Sequence, residues 1–212
     1  MIEKSELAPI VVFAFNRPKA LLKTIEALKS NPEAASTNLY LFVDGPRIHK
    51  QNEKKNVERV KDICKNITGF KAVYTEYSNT NKGLGPSIIY GVSKVINKEG
   101  LVIVLEDDLI VSPNFLAFMN QGLNRYKSNP KIWSICGYTN KVTSPHNYTF
   151  DAYCCTRSSS WGWGTWKDRW NTVDWSFDNW IEWSSRRKEF NKWGGSDCFG
   201  MLNACRSGKN KS

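Results

Sequence analysis

The stretch Leu101-Val102-Ile103-Val104-Leu105-Glu106-Asp107-Asp108-Leu109 decides how the rest of the chain is interpreted. Five consecutive apolar residues are typical of a strand that is buried on both faces. Three carboxylates follow directly, and because like charges repel and resist burial, they favour folding only where a cation neutralises them. The stretch therefore predicts a strand whose carboxyl end presents acids to a hard divalent metal, Mg²⁺ or Mn²⁺. A solvated acidic turn after a core strand is the alternative.

Upstream of this stretch, apolar strands alternate with patterns of helical spacing. Strands are predicted at residues 8–15, 39–43 and 70–74, and helices at residues 18–28, 50–64 and from Pro86 onward. This order predicts an α/β fold in which a Rossmann-like, mostly parallel sheet carries helices on both faces. Polar clusters follow three of the strands, at Asn16-Arg17, Asp44-Gly45 and Glu106-Asp107-Asp108, and parallel topology should bring them to one edge of the sheet.

The chain changes character after the acids. A helix is predicted from Ser112-Pro113, a strand at residues 132–136 and a last helix at residues 198–205. Eight of the nine tryptophans fall between Trp161 and Trp193. This density predicts either a rigid packed scaffold or a wall on which the flat apolar faces of sugars stack, and both interpretations stay open.

Composition narrows the class of protein. The chain has 212 residues, 41% of them hydrophobic, which is enough for the core of one domain. The net charge is +10, but without a long Lys/Arg block or an RNA-binding aromatic signature we expect no nucleic-acid partner. A phosphorylated substrate or peripheral contact with an anionic membrane would account for the excess, and a generally basic, soluble surface without such a partner is the alternative. With no apolar run of membrane-spanning length and a polar N-terminus, a cytoplasmic location is expected.

Cysteine spacing argues against a zinc site. The six cysteines contain no CxxC pair. In a cytoplasmic chain we expect them to be reduced, mostly buried thiols.

The acidic cluster favours a nucleotide-diphosphate ligand. Mg²⁺ and Mn²⁺ take few protein carboxylates and keep positions for phosphate oxygens and water. A metal-bridged diphosphate is also a better leaving group. The sequence has no P-loop motif, and Gly83-Leu84-Gly85 ahead of a helix is a weak signal that Gly83 contacts phosphate.

Four pieces of the sequence together resemble a GT-A fold glycosyltransferase. They are residues 10–18, Phe42–Gly45, Leu105–Leu109 with Ser112–Phe115, and Trp161–Trp166. The pattern is most similar to the N-acetylglucosaminyltransferase I type, whose DXD motif takes the form Glu-Asp-Asp. The resemblance implies one GT-A catalytic domain over residues 1–212, with a nucleotide-binding half at 1–110 and an acceptor-side half at 111–212. Enzymes of this type usually continue further, so the chain is either truncated at its C-terminus or active as it stands.

The resemblance also implies roles for single residues. On the donor side, Asn16 and Arg17 begin the nucleotide pocket, Asp44 contacts uracil or ribose, Glu106 and Asp107 lie around the ribose and donor sugar, and Asp108 is the direct metal ligand. On the acceptor side, Trp161-Gly162-Trp163 is the glycine-bearing loop and Asp197 is the catalytic base.

Simpler roles compete with three of these. Asp44 is also a plausible turn residue, Arg17 a solvated charge at a helix end, and Asp197 an ordinary helix N-cap.

The predicted function is a metal-dependent, inverting transfer of a sugar from a UDP-sugar to a hydroxyl of a glycan or lipid-linked acceptor, in the synthesis of a surface polysaccharide or glycan. One alternative is a nucleotidyltransferase acting on a sugar phosphate, which would normally carry a Gly-rich loop after the first strand, whereas Asn16-Arg17-Pro18 has no glycine. The other is a non-catalytic carbohydrate-binding module.

Overall fold

The computed structural model describes residues 7–48, 50–139, 143, 146–176 and 178–207. These residues divide into two compact units, the first within Met1–Tyr138 and Ser160–Asn171, the second within Thr139–Ser159 and Thr172–Ser212. The division differs from the boundary that we placed at residue 110, because the chain leaves the first unit after Tyr138 and returns to it at Ser160.

The first unit is built on one sheet. Among the described residues its strands are β1 (Ile10–Ala14), β2 (Asn38–Val43), β3 (Ala72–Tyr77), β4 (Leu101–Glu106), β5 (Ile135–Cys136) and β6 (Trp163–Trp166), in the order β3-β2-β1-β4-β6-β5. Strands β1 to β4 pair in parallel, and β6 runs antiparallel to both β4 and β5.

Helices follow the strands as the alternation predicts. The first unit carries α1 (Pro18–Lys29), a 3-10 helix (Pro32–Ser36), α2 (Gln51–Lys65), α3 (Leu84–Glu99), α4 (Phe115–Tyr126) and α5 (Lys167–Trp170). The second carries α6 (Trp180–Ser185), α7 (Arg187–Gly194) and α8 (Cys198–Arg206). In the part of the chain that the structure describes, no helix combines the length and apolar character needed to cross a membrane.

The central strands send alternate side chains into two separate cores. On one face, Val12 and Leu105 pack in the cluster that includes residues of α1, α2 and α4. On the other face, Phe13 and Val104 pack with residues of α3. This alternation follows from the period of two along a strand, and burial on both faces explains why these strands are continuously apolar. The predicted α/β class, with a mostly parallel sheet and helices on both faces, is confirmed.

Strands β3 and β5 differ most from their predicted bounds. The third strand begins at Ala72 rather than residue 70 and continues to Tyr77, because it pairs along the full length of β2. The strand predicted at residues 132–136 is reduced to Ile135–Cys136. The stretch that we interpreted as a loop around Trp163 continues into β6, whose antiparallel pairing with β4 extends the sheet.

The thiols are less buried than we expected. Cys64, on the inner face of α2, is buried, and burial raises the pKa of its thiol to about 12. Cys136 and Cys198 are partly exposed and Cys154, Cys155 and Cys205 are exposed, so the expectation of mostly buried thiols is wrong for five of the six.

Candidate active site

The acids of β4 lie beside the end of β1. Phe13 of β1 is the register partner of Glu106, the last residue of β4. Asn16 and Arg17 follow β1 directly, so the parallel pairing of the two strands brings them next to the acids, as topology predicts. Arg17 holds the N-cap position of α1, and no side chain provides a capping bond there.

Asp107 faces the protein. Its side chain is 1% exposed, its Oδ2 accepts a hydrogen bond of 3.1 Å from the Phe15 backbone N–H, and its Oδ1 is paired with Arg17 Nη2. Burial raises the pKa of Asp107, and the charge of Arg17 opposes that rise. Its contacts tie the end of β4 to the loop after β1, where we had expected a donor-sugar contact.

The side chains of Asp108 and Glu106 are more exposed to solvent than that of Asp107. The Asp108 side chain is 44% exposed, and its Oδ2 accepts a hydrogen bond of 2.5 Å from Arg17 Nη1. Partial burial and the nearby charge of Asp108 raise the pKa of Glu106, while Arg17 lowers it. Arg17 therefore bridges two of the three acids with its two terminal nitrogens.

This donor set fits a divalent ion only in combination with further ligands. Within the described ranges, no group of three or more His, Cys, Asp or Glu is arranged to hold a metal ion. Mg²⁺ and Mn²⁺ are commonly held through one or two carboxylates, with phosphate oxygens and water as the remaining ligands. The half-exposed carboxylate of Asp108 suits that mode of binding, and the buried Asp107 does not.

Asp44 organises the loop that leads into α3. It is 9% exposed, and its Oδ1 accepts hydrogen bonds of 2.9 Å from the backbone N–H groups of Gly45 and Lys82. Its Oδ2 accepts bonds of 2.9 Å from Asn81 Nδ2 and the Gly83 N–H. The amide of Gly83, which we expected to contact phosphate, therefore donates to Asp44, and the Asp44 carboxylate is largely occupied by this loop.

The tryptophan stretch combines a scaffold residue with a surface residue. Trp163 is 8% exposed, and its ring stacks on those of Trp133 and Trp170, with centroids 6.3 and 5.8 Å away. Trp161 is 51% exposed, and its ring centroid lies 4.6 Å from that of Tyr138. Of the two tryptophans proposed to contact substrate, only Trp161 has a large ring surface in solvent.

Gly162 makes the turn between these two tryptophans. Its φ of +70° is a backbone conformation that residues other than glycine rarely adopt. A Cβ at this position would also lie 3.1 Å from the ring of Phe115. The glycine thus serves the backbone geometry ahead of β6.

Asp197 belongs to the second unit and forms an ion pair there. Arg157 Nη1 donates to its Oδ1 and Arg157 Nη2 to its Oδ2, both at 2.8 Å. These hydrogen bonds lower the pKa of Asp197. Asp197 also holds the N-cap position of α8, without a capping bond from its side chain. No sequence signal pointed to Arg157, which is 40 residues away.

Comparisons by sequence return no relative: no family model matches the chain, and no curated protein matches it.

Comparison of folds finds similar solved structures. One is TarS 1–349 of S. aureus, with a TM-score of 0.40 and 12% identity, covering 56% of this chain and 33% of that one. A second is the active-site mutant Q189E of LgtC, with a TM-score of 0.44 and 14% identity, covering 84% and 64%. A third is the apo form of the glycosyltransferase GlyE of Streptococcus pneumoniae TIGR4, with a TM-score of 0.35 and 10% identity, covering 87% and 38%. The chain thus spans from a third to just under two thirds of their lengths.

Proposed function

We propose that this protein is a glycosyltransferase of the GT-A type that moves a sugar from a UDP-sugar to a hydroxyl of a glycan or lipid-linked acceptor. The observation that carries the proposal is the arrangement at the carboxyl edge of β1 and β4. There a half-exposed carboxylate, Asp108, lies next to a half-exposed guanidinium, Arg17. A nucleoside diphosphate bound with a divalent cation has the complementary charges.

Each residue at this edge has a separate task. Asp108 holds Mn²⁺ or Mg²⁺ together with the diphosphate, and Arg17 offers donors to phosphate oxygens. Asp107 keeps the loop after β1 in place through its contacts with Phe15 and Arg17. A divalent ion, when bound, neutralises the charge that develops on the departing diphosphate.

The acceptor hydroxyl needs a base, and we assign this task to Asp197. A hydroxyl attacks poorly unless its proton is removed as the bond forms. Because Arg157 lowers the pKa of Asp197, this carboxylate is ionised at neutral pH and is a weak base. Arg157 holds both oxygens of this candidate base in hydrogen bonds.

Isothermal titration of UDP with and without Mn²⁺ tests the donor site. We expect UDP affinity to depend on Mn²⁺ in the wild type and the Mn²⁺ effect to disappear in Asp108→Asn. Asp62→Asn is the matched control, since Asp62 is also a surface aspartate that pairs with a cation, Lys65, at 2.9 Å. Equal Mn²⁺ dependence in Asp108→Asn and Asp62→Asn would contradict the assignment of Asp108.

A panel of UDP-sugars with Mn²⁺ tests the reaction, with release of UDP as the measurement. Turnover of one UDP-sugar supports glycosyl transfer and identifies the donor even without the acceptor. Release of pyrophosphate from a nucleoside triphosphate and a sugar phosphate would instead indicate a nucleotidyltransferase. Binding of sugars with no turnover of any nucleotide would indicate a carbohydrate-binding module.

A further inference from the structure

The guanidinium of Arg17 lies against the carboxylate that we assign to the metal. Its Nη1 donates to Asp108 Oδ2 at 2.5 Å, and its Nη2 is paired with Asp107 Oδ1. The two partners differ in burial, since the Asp107 side chain is 1% exposed and that of Asp108 is 44% exposed. One end of this bridge is therefore fixed in the protein, and the other is open to exchange with solvent.

A divalent ion on Asp108 has to compete with this internal cation. The Asp108 carboxylate cannot keep a short bond to the guanidinium and also ligate an ion without bringing two positive groups together. The pair at Asp107 is harder to break, because separating it would leave a buried carboxylate without its cation. An ion at Asp108 would thus release only Nη1, while Nη2 would stay with Asp107.

We propose that Arg17 is a displaceable lock on the metal site, which makes the divalent ion and the nucleotide diphosphate bind cooperatively. This inference rests on the proposed function. With no anion present, Arg17 competes with the ion for Asp108. A diphosphate accepts hydrogen bonds from the released guanidinium and so removes the competitor. Each ligand then binds more tightly when the other is present. The factor by which Mn²⁺ raises the affinity for the diphosphate equals the factor by which the diphosphate raises the affinity for Mn²⁺.

Binding of Mn²⁺ alone, followed by the paramagnetic resonance signal of free Mn²⁺, tests the lock without measuring activity. We expect Arg17→Gln to bind Mn²⁺ about fivefold more tightly than the wild type, the effect of removing one exposed ion pair worth up to about 1 kcal/mol. We expect UDP to enhance Mn²⁺ binding less in Arg17→Gln than in the wild type. Adding Asp108→Asn to Arg17→Gln should abolish the gain.

Arg47→Gln is the matched control. Arg47 is also about half exposed and follows a neighbouring strand, but it pairs with a buried glutamate, Glu53, rather than with an acid of β4. The Arg47→Gln substitution removes the same unit of charge, so a general electrostatic effect would raise Mn²⁺ affinity in both variants.

Arg17→Lys covers the case in which Arg17→Gln does not fold. Its single ammonium keeps the charge but cannot bridge both carboxylates in the same way. We expect an intermediate gain for it.

The outcomes separate the lock from the function on which it rests. A wild type that binds UDP with Mn²⁺, together with Arg17 variants whose affinity for Mn²⁺ alone does not increase, would overturn the lock and keep the donor site. An equal gain in Arg47→Gln would overturn it as well. A wild type that binds UDP without any Mn²⁺ effect would overturn both.

Discussion

Three adjacent acids in this chain have three different environments. Asp107 is buried and paired, Asp108 is half exposed, and Glu106 lies between these extremes at the end of β4. The side chains of a strand end alternate in direction, so identical charges a residue apart meet different partners. A motif of three acids therefore consists of one group directed into the protein and others that remain accessible to ligands.

Glu106→Gln is expected to stabilise the fold at neutral pH. Burial raises the folded-state pKa of Glu106, so its ionised form costs stability above that pKa, and the cost vanishes below the unfolded-state pKa of about 4.3. Thermal melting should show a higher midpoint for the variant at pH 7 and a shrinking difference as the pH falls to 4. A difference that grows towards low pH would contradict the assigned sign.

Asp44→Ala is expected to loosen the loop before α3. The change removes the acceptor of the Lys82 and Gly83 amides, and a lost hydrogen bond to a charged group costs about 1.5–3 kcal/mol. Hydrogen exchange should show lost protection at these two amides, while Asp168→Ala, at an exposed carboxylate, should leave them protected. Retained protection at both amides in Asp44→Ala would show that other contacts hold the loop.

The positions of the candidate residues follow from sequence, but their contacts do not. A parallel sheet places Arg17 and Asp108 at one edge whatever the detail, so topology was enough to bring them together. The partners of Asp107 and Asp44 include the backbone amides of Phe15 and Gly83, which are far away in sequence, and no local pattern encodes these contacts. The Arg157–Asp197 pair was missed for the same reason.

Helix α3 lies close to the sheet at a glycine, Gly91. A Cβ at Gly91 would lie 2.7 Å from the ring of Phe13 and 2.9 Å from that of Phe42. These two rings stack with centroids 5.6 Å apart, so neither can move aside easily. The absence of a side chain at this position lets the helix lie against the sheet.

Gly91→Ala is expected to lower the stability of the first unit by about 1–3 kcal/mol, the usual cost of an overpacked core. Gly200→Ala is the control, because a Cβ there meets nothing within 4 Å and alanine favours a helix by about 1 kcal/mol. Denaturant unfolding should show a lower midpoint only for Gly91→Ala. A loss of equal size in Gly200→Ala would mean that steric overlap with the sheet is not the cause.

Strands with strong apolar runs were the easiest elements to predict. Strands β1, β2 and β4 are buried on both faces, which leaves a continuous apolar signal in the sequence. In β6 the residues Trp163–Trp166 include a glycine and a threonine, so its strand character depends on pairing with β4 rather than on local propensity. Strand β5 has two residues and carries almost no signal of its own.

At the scale of the whole molecule, the two units differ in how much they bury. The described core residues lie in the first unit, and helices α6, α7 and α8 contain no buried residue. Local stability follows buried apolar contacts. We expect hydrogen exchange followed by mass spectrometry to show slow exchange in β1 and β4 and faster exchange in these three helices. Equal protection in the two units would contradict this expectation.

The strand order has a consequence for how the protein is made on the ribosome. The four parallel strands are complete once Glu106 has been synthesised, but the antiparallel neighbour of β4 arrives only with Trp163–Trp166. Until then, the edge of β4 that β6 later covers presents unpaired backbone groups, a feature by which nascent chains aggregate or bind chaperones. The long interval between these two strands thus lengthens the time for which this edge of β4 is open to other chains during translation.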